Sequence, residues 1–213
     1  MTESVQPDEF GDERDVELML AVGRHDALAF EELMARNQRK VESLLIHFVG
    51  SRELAEDLTQ EVFLKVYQAR ESYQPAAKFS TWLFRIVHNT ALNALRSRKR
   101  RPELLFGAAS GKTAPDASGA FSIEETLLAK SGLIPTRRLD KQELQEAVRS
   151  AVAALGERQR AALLLHRFEG MNYRQIADVM DLTPQAVKSL LCRARLSLRE
   201  LLAPYFEEGR LPE

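Results

Sequence analysis

Apolar residues three and four positions apart run through almost the whole chain, and strand-like alternation is nearly absent, so these side chains can be buried only by packing helices together. The periodicity fails over one long stretch. From Pro102 to about Pro135, Gly107, Gly111, Gly119, Gly132 and Pro115 accumulate among Ser and Ala, a composition that tethers rather than packs, with one short helical pattern at Ile123–Lys130. The class this predicts is all-α, as two small helical domains joined by a flexible linker. The expected divisions are an acidic segment at 1–26, a helical domain at 27–101, the linker at 102–137, a second helical domain at 138–204 and a tail at 205–213. Fully extended, a linker of ~35 residues reaches on the order of 110 Å.

In the first domain, Phe30, Leu33, Met34, Val41, Leu44, Leu45 and Phe48 trace a long helix that ends near Gly50. Ser51 is placed to cap the next, with Glu53 and Glu56 near its positive end and Leu54, Leu58, Val62, Val66 and Ala69 as its buried stripe. Tyr73-Gln74-Pro75 breaks the pattern, so Ser72–Lys78 reads as a loop, followed by a helix from about Ser80 to Arg98. In the second domain a helical pattern begins near Leu139, carries Leu144, Val148, Val152 and Leu155, pauses at Gly156 and resumes through Arg160–Phe168 to a turn at Glu169-Gly170.

The end of that domain is the most specific segment. A helix from Tyr173 to Met180 meets a second, from Pro184 to about Leu202, across the turn Asp181-Leu182-Thr183. Thr183 suits the N-cap, and Pro184 the first helical position, where the N–H that proline lacks has no intrahelical partner anyway. Val187, Leu190, Leu191, Ala194, Leu198 and Leu201 form a stripe toward Ile176, Val179 and Met180. Gln185, Lys188, Ser189, Cys192, Arg193 and Arg195 lie off it, with no acid before Glu200. A helix-turn-helix that enters a DNA groove has this pattern; a surface helix with a solvated basic side is the rival reading.

Net charge is −1, from 30 basic and 31 acidic residues, so the total does not announce a polyanion binder. The distribution does. Residues 1–26 carry Glu3, Asp8, Glu9, Asp12, Glu13, Asp15, Glu17 and Asp26 against Arg14 and Arg24, whereas Ser72–Pro102 carries Lys78, Arg85, Arg96, Arg98, Lys99, Arg100 and Arg101 and no acid. Two basic zones separated by neutral or acidic sequence point to two contacts with one polyanion. Within the first zone, Phe79, Trp82 and Phe84 sit beside Arg85, Asn89, Asn93 and Arg96, which share a helix face. Aromatics beside cations and amides hold unpaired bases, each stack contributing on the order of 1–3 kcal/mol. Aromatics at helical spacing are more often core, and at least one of the three is expected to be buried.

Cys192 is the only cysteine, which excludes an intramolecular disulfide and favours a reducing compartment. No apolar run approaches ~18 residues and the N-terminus has no apolar signal core, so the expected location is cytoplasmic, without stable membrane insertion. His25, His47, His88 and His166 are scattered at neither metal nor catalytic spacing, and no metal, cofactor or enzymatic activity is expected. Gly107–Thr113 imitates a phosphate-binding loop but is one residue short between its glycines and follows no strand.

With both zones in view, the chain resembles bacterial sigma factors of the extracytoplasmic-function (ECF) group. Ala55–Tyr67 resembles the family's core-polymerase-binding helix, Phe79–Asn93 its minus-ten reading and melting helix, and Leu155–Leu202 its minus-thirty-five domain. The resemblance implies that Asp57, Gln60, Glu61 and Phe63 meet core RNA polymerase. It implies that Tyr73, Lys78, Ser80, Trp82, Arg85, His88, Asn89, Asn93 and Arg96 take the melted strand and its duplex edge. Lys188, Ser189, Cys192 and Arg193, with Thr183 and Gln185 at the helix start, would then face minus-thirty-five bases, while Arg174 and Arg195 hold phosphates. It also implies promoter DNA and an anti-sigma factor as partners. The alternative is a stand-alone helix-turn-helix regulator whose N-terminal domain senses a ligand or dimerises.

Overall fold

The computed structural model describes residues 8–100 and 141–205, which form two compact helical units, one on either side of 101–140. The expected linker, the short helical pattern expected at 123–130, the 107–113 stretch and the tail after Tyr205 lie outside the described residues.

The first unit contains α1 (Asp8–Gly23), α2 (Ala27–Val49), α3 (Arg52–Gln68) and α4 (Phe79–Arg100). Local chemistry sets their ends. Asp26 caps α2 by accepting the Ala29 N–H at 3.1 Å, and Gly50 ends it in the left-handed region (φ 70°), donating its N–H to the Ile46 carbonyl at 2.8 Å. Ser51 then caps α3 through the Leu54 N–H. Leu33, Val41, Leu45 and Phe48 of α2 pack with Ala55, Val62 and Val66 of α3 and with Phe79, Leu83, Phe84 and Val87 of α4. Leu54, expected in the stripe of α3, is only half-buried.

The expected boundary at residue 27 needs correction, because α1 is part of this core. Leu18, Met19 and Val22 are buried, and α1 contacts both α2 and α4. Its acids are partly structural. Asp15 is buried and accepts Arg36 Nε at 2.6 Å and Asn37 Nδ2 at 3.1 Å, while Asn37 also donates to the Leu33 carbonyl at 3.0 Å. A buried carboxylate without such partners would be strongly destabilising. Gly23 brings the end of α1 against the chain after α3: a Cβ there would lie 2.9 Å from the Arg70 carbonyl oxygen.

The second unit contains α5 (Lys141–Ala154), α6 (Glu157–Phe168), α7 (Tyr173–Met180) and α8 (Pro184–Leu202), followed by a 3-10 turn at Ala203–Tyr205. Leu144, Val148 and Val152 of α5, Ala161–Leu165 of α6, and Ile176, Val179, Val187, Leu191 and Ala194 of α7 and α8 make its core. Asn172 and Gln175 form a reciprocal cap at the start of α7, with bonds of 2.9–3.0 Å. Asp181 turns the chain at φ 54°, and Thr183 accepts the Ala186 N–H at 3.2 Å with Pro184 in the first helical turn. The stripe of α8 runs out earlier than its leucine spacing suggests. Leu198 is half-buried, Leu201 is 44% exposed, and Leu202 is the residue that returns to the core.

Candidate nucleic-acid and polymerase surfaces

In the first unit, Tyr73 and Phe79 are buried anchors on either side of an exposed loop, Gln74–Lys78. Trp82 completes an aromatic cluster, its ring centroid 4.8 Å from that of Tyr73 and 5.6 Å from that of Phe79. Of the three aromatics in this zone, Phe79 and Phe84 belong to the core and Trp82 is half-buried, so Trp82 is the one that presents a partly open ring. Beyond it, Arg85, Asn89, Asn93 and Arg96 are exposed along α4. Their spacing spreads them over ~16 Å of one helix side. Lys78 is exposed at the loop's end, and Ser80 is half-buried with its backbone N–H donated to Asp12 Oδ1 at 2.8 Å.

Two of the expected strand-facing residues are interior. His88 is 3% exposed and lies against Phe48, ring centroids 5.9 Å apart, because its position on α4 turns it toward α2. Tyr73 is buried, its hydroxyl has no hydrogen-bond partner, and burial, with the nearby charge of Asp12 as a second cause, pushes its phenol up to about 12. It supports the cluster from beneath and offers no free polar tip.

On α3, Asp57, Gln60 and Glu61 are exposed and Phe63 is buried, so Phe63 is a core residue and not a projecting contact. It does floor an open groove of about 450 Å³ between α2 and α3, lined also by Phe30, Met34, Thr59, Gln60, Leu64 and Tyr67. Leu64 is 56% exposed. The rings of Phe30 and Tyr67 stand 5.1 Å apart, and the Arg70 guanidinium lies 4.3 Å over Tyr67. Phe30, Met34, Leu64 and Tyr67 join this surface although the resemblance assigns none of them a contact. The available signal was that Leu64 and Tyr67 are apolar yet fall off the α3 stripe. An acidic ridge beside an exposed apolar groove can take an amphipathic partner with basic flanks.

In the second unit, Gln185, Lys188, Ser189, Cys192, Arg193 and Arg195 are all exposed on α8, and Arg174 is exposed on α7. Among the described residues no carboxylate pairs with Lys188, Arg193 or Arg195, whereas Arg14, Arg36, Arg52, Lys65 and Arg70 in the first unit all stand in ion pairs. Arg193 Nε donates to the Ser189 carbonyl at 3.3 Å and Arg195 Nε to the Leu191 carbonyl at 3.3 Å, which steadies both side chains along the helix. Thr183 Oγ1 is engaged as the α8 cap, so its role here is to orient the helix start. Among the described residues, no three His, Cys, Asp or Glu side chains are grouped to hold a metal, and no helix is long and apolar enough to cross a membrane.

Comparison with known proteins matches both units in order. The family model "Sigma-70 region 2" covers residues 33–101, and "Sigma-70, region 4" covers 145–198. The chain is 36% identical over 197 residues to the RNA polymerase sigma-H factor of Pseudomonas aeruginosa, spanning 92% of this chain and 98% of that one. It is 33% identical over 190 residues to the ECF RNA polymerase sigma-E factor of Escherichia coli, spanning 89% and 95%. Among solved structures, the sigma factor RpoE of Bartonella quintana, in complex with the anti-sigma factor NepR, has the same fold with a TM-score of 0.61 at 22% identity, over 82% of this chain and 96% of that one. CnrH, in complex with the cytosolic domain of CnrY, aligns at a TM-score of 0.63 and 22% identity over 90% and 98%.

Proposed function

The chain belongs to the sigma-70 family, in its extracytoplasmic-function group, and from that premise we propose how its two units share the work of a sigma factor that binds core RNA polymerase and directs promoter-specific initiation. The first unit, including α1, takes polymerase on the α2–α3 groove and the Asp57–Gln60–Glu61 ridge. The same unit takes the melted minus-ten strand on Trp82, the Gln74–Lys78 loop and the Arg85–Asn89–Asn93–Arg96 strip. The second unit lays the start of α8 in the major groove of the minus-thirty-five element. There Gln185, Lys188, Ser189, Cys192 and Arg193 reach base edges, while Arg174 and Arg195 neutralise phosphates.

The observation that carries this reading is the pairing of a cation face free of acid partners on α8 with a second basic strip around a half-open tryptophan on α4. Neither alone gives a tight complex. Held by polymerase, the two units engage one promoter together, and the second contact becomes effectively intramolecular. Trapping flipped bases at Trp82 offsets the few kcal/mol of unstacking, so binding itself opens the duplex without nucleotide hydrolysis. We assign the chain no catalysis of its own and place its work in the cytoplasm, where polymerase and promoters are. The similarly folded RpoE, solved with the anti-sigma factor NepR, supports an anti-sigma factor as a further partner.

Run-off transcription with purified core polymerase across a genomic promoter library tests the reading. Transcripts that start only when the chain is added, from templates sharing two spaced elements, are expected. Tight binding of a duplex half-site pair by the chain alone, with no polymerase-dependent transcript, would establish the stand-alone regulator in its place.

A further inference from the structure

The strand-capturing end of the first unit begins at a helix terminus that its own sequence leaves uncompensated. The first turn of α4 contains no acid, and no acid occurs anywhere in Ser72–Pro102. Four backbone N–H groups and the positive end of a long helix macrodipole therefore need a partner from elsewhere. The fold brings one across 68 residues: Asp12 on α1 accepts the Ser80 N–H at 2.8 Å. The same carboxylate lies close enough to Tyr73 to contribute to holding that buried phenol neutral. Asp12 thus meets the protein where the exposed loop leaves its first buried anchor, Tyr73, and where it re-enters the helix beside Phe79.

We propose that Asp12 is a positioning residue for strand opening: by capping α4 from α1 it fixes the end of the Gln74–Lys78 loop and the pose of Trp82, so that the melted strand meets a preformed surface. The inference rests on the proposed use of that surface for single-stranded DNA. The physical gain is preorganisation. A loop with both ends fixed loses less conformational freedom on capturing a strand than one whose helical entry frays. Asp12 contacts no base in this account and acts through Ser80 and the aromatic cluster. One acid of α1 thus helps to build the proposed DNA site.

The test uses full-length protein assembled with core polymerase, and Trp82 as an internal reporter, since it is the only tryptophan of the chain. Wild-type holoenzyme first selects a fork-junction DNA from a pool randomised over the minus-ten strand, and that DNA is the probe for all variants. Asp12→Ala is expected to lose roughly three- to tenfold in fork-junction affinity, the range set by loss of a helix cap. Its Trp82 emission should shift in the free protein, with polymerase affinity unchanged. Asp12→Asn still accepts the Ser80 N–H and is expected to stay within about twofold of wild type in both readouts, because Asn caps as well as Asp does. Wild-type behaviour of Asp12→Ala overturns the proposal. So does an equal gain of DNA affinity in both variants, which would make Asp12 a repelling charge only, or a loss in Asp12→Ala matched by an equal loss of polymerase binding, which would make it a general structural residue. If wild-type holoenzyme selects no fork-junction sequence, the strand-capture reading itself fails, while the Trp82 emission of the two variants still reports whether Asp12 sets that ring.

Discussion

At the scale of single residues, burial separates core side chains from exposed ones even where the two alternate along one helix. Phe63 and Gln60 illustrate this on α3: the first floors the groove from within the core and the second stands at its exposed edge. Phe63→Ala should cost about 3–5 kcal/mol of stability, as large core aromatics do. Gln60→Ala should stay within about 0.5 kcal/mol yet weaken polymerase capture. Urea denaturation alongside a polymerase-binding titration checks the pair, and equal stability losses would remove the distinction. Tyr73 has a titration consequence. Its phenol is raised from 10 to about 12 on folding, so the protonated form is favoured in the folded state. That stabilisation is complete below pH ~10 and lost as pH rises toward 12. Tyrosinate absorbance should therefore include a late fraction that Tyr73→Phe removes; an unchanged titration curve in the variant would assign the late fraction elsewhere. The motif that points to Tyr73, His88 and Phe63 as contacts does not tell which way each faces, and all three face inward. Facing depends on neighbouring helices, and His88 is turned inward by Phe48, forty residues earlier.

At the scale of elements, the ends of helices were the most legible features, because caps act within three or four residues. Ser51, Gly50, Thr183 and Pro184 do in the structure what their chemistry requires. Thr183→Ala should lower the stability of the second unit by roughly 0.5–2 kcal/mol and weaken minus-thirty-five binding, since the cap sets where α8 begins. Thermal melting with a duplex-binding assay checks this. Loss of stability with unaltered DNA affinity would separate the cap from recognition. Helix α1 was the element least legible in sequence. Its residues alternate acid and apolar types so densely that no clear face emerges, and with eight acids in residues 1–26 the sequence marks it only as an acidic segment. Only against α2 and α4 do Leu18, Met19 and Val22 become core and Asp15 an ion-pair partner of Arg36.

At the scale of the whole molecule, two recognition units on one chain make specificity a product, and their contributions can be removed separately. Arg193→Ala should reduce transcription several-fold on promoters with a strong upstream element and little on those lacking it, with a shallower salt dependence from one phosphate or base contact fewer. Trp82→Ala should leave polymerase binding intact and reduce strand opening, read as reduced permanganate reactivity of promoter thymines. An equal loss on all promoters for Arg193→Ala, or normal thymine reactivity for Trp82→Ala, would contradict the division of labour. By itself the sequence determined the helical class, most helix ends and the split into two units, because these depend on apolar period, capping side chains and composition, all of which act over a few residues. Tertiary structure alone decided which side of each helix meets a neighbour: that α1 joins the core, that Asp12 reaches Ser80, and that Phe30, Leu64 and Tyr67 open a groove. Those contacts join residues from about 20 to 70 positions apart, and packing, not local propensity, sets which of them form.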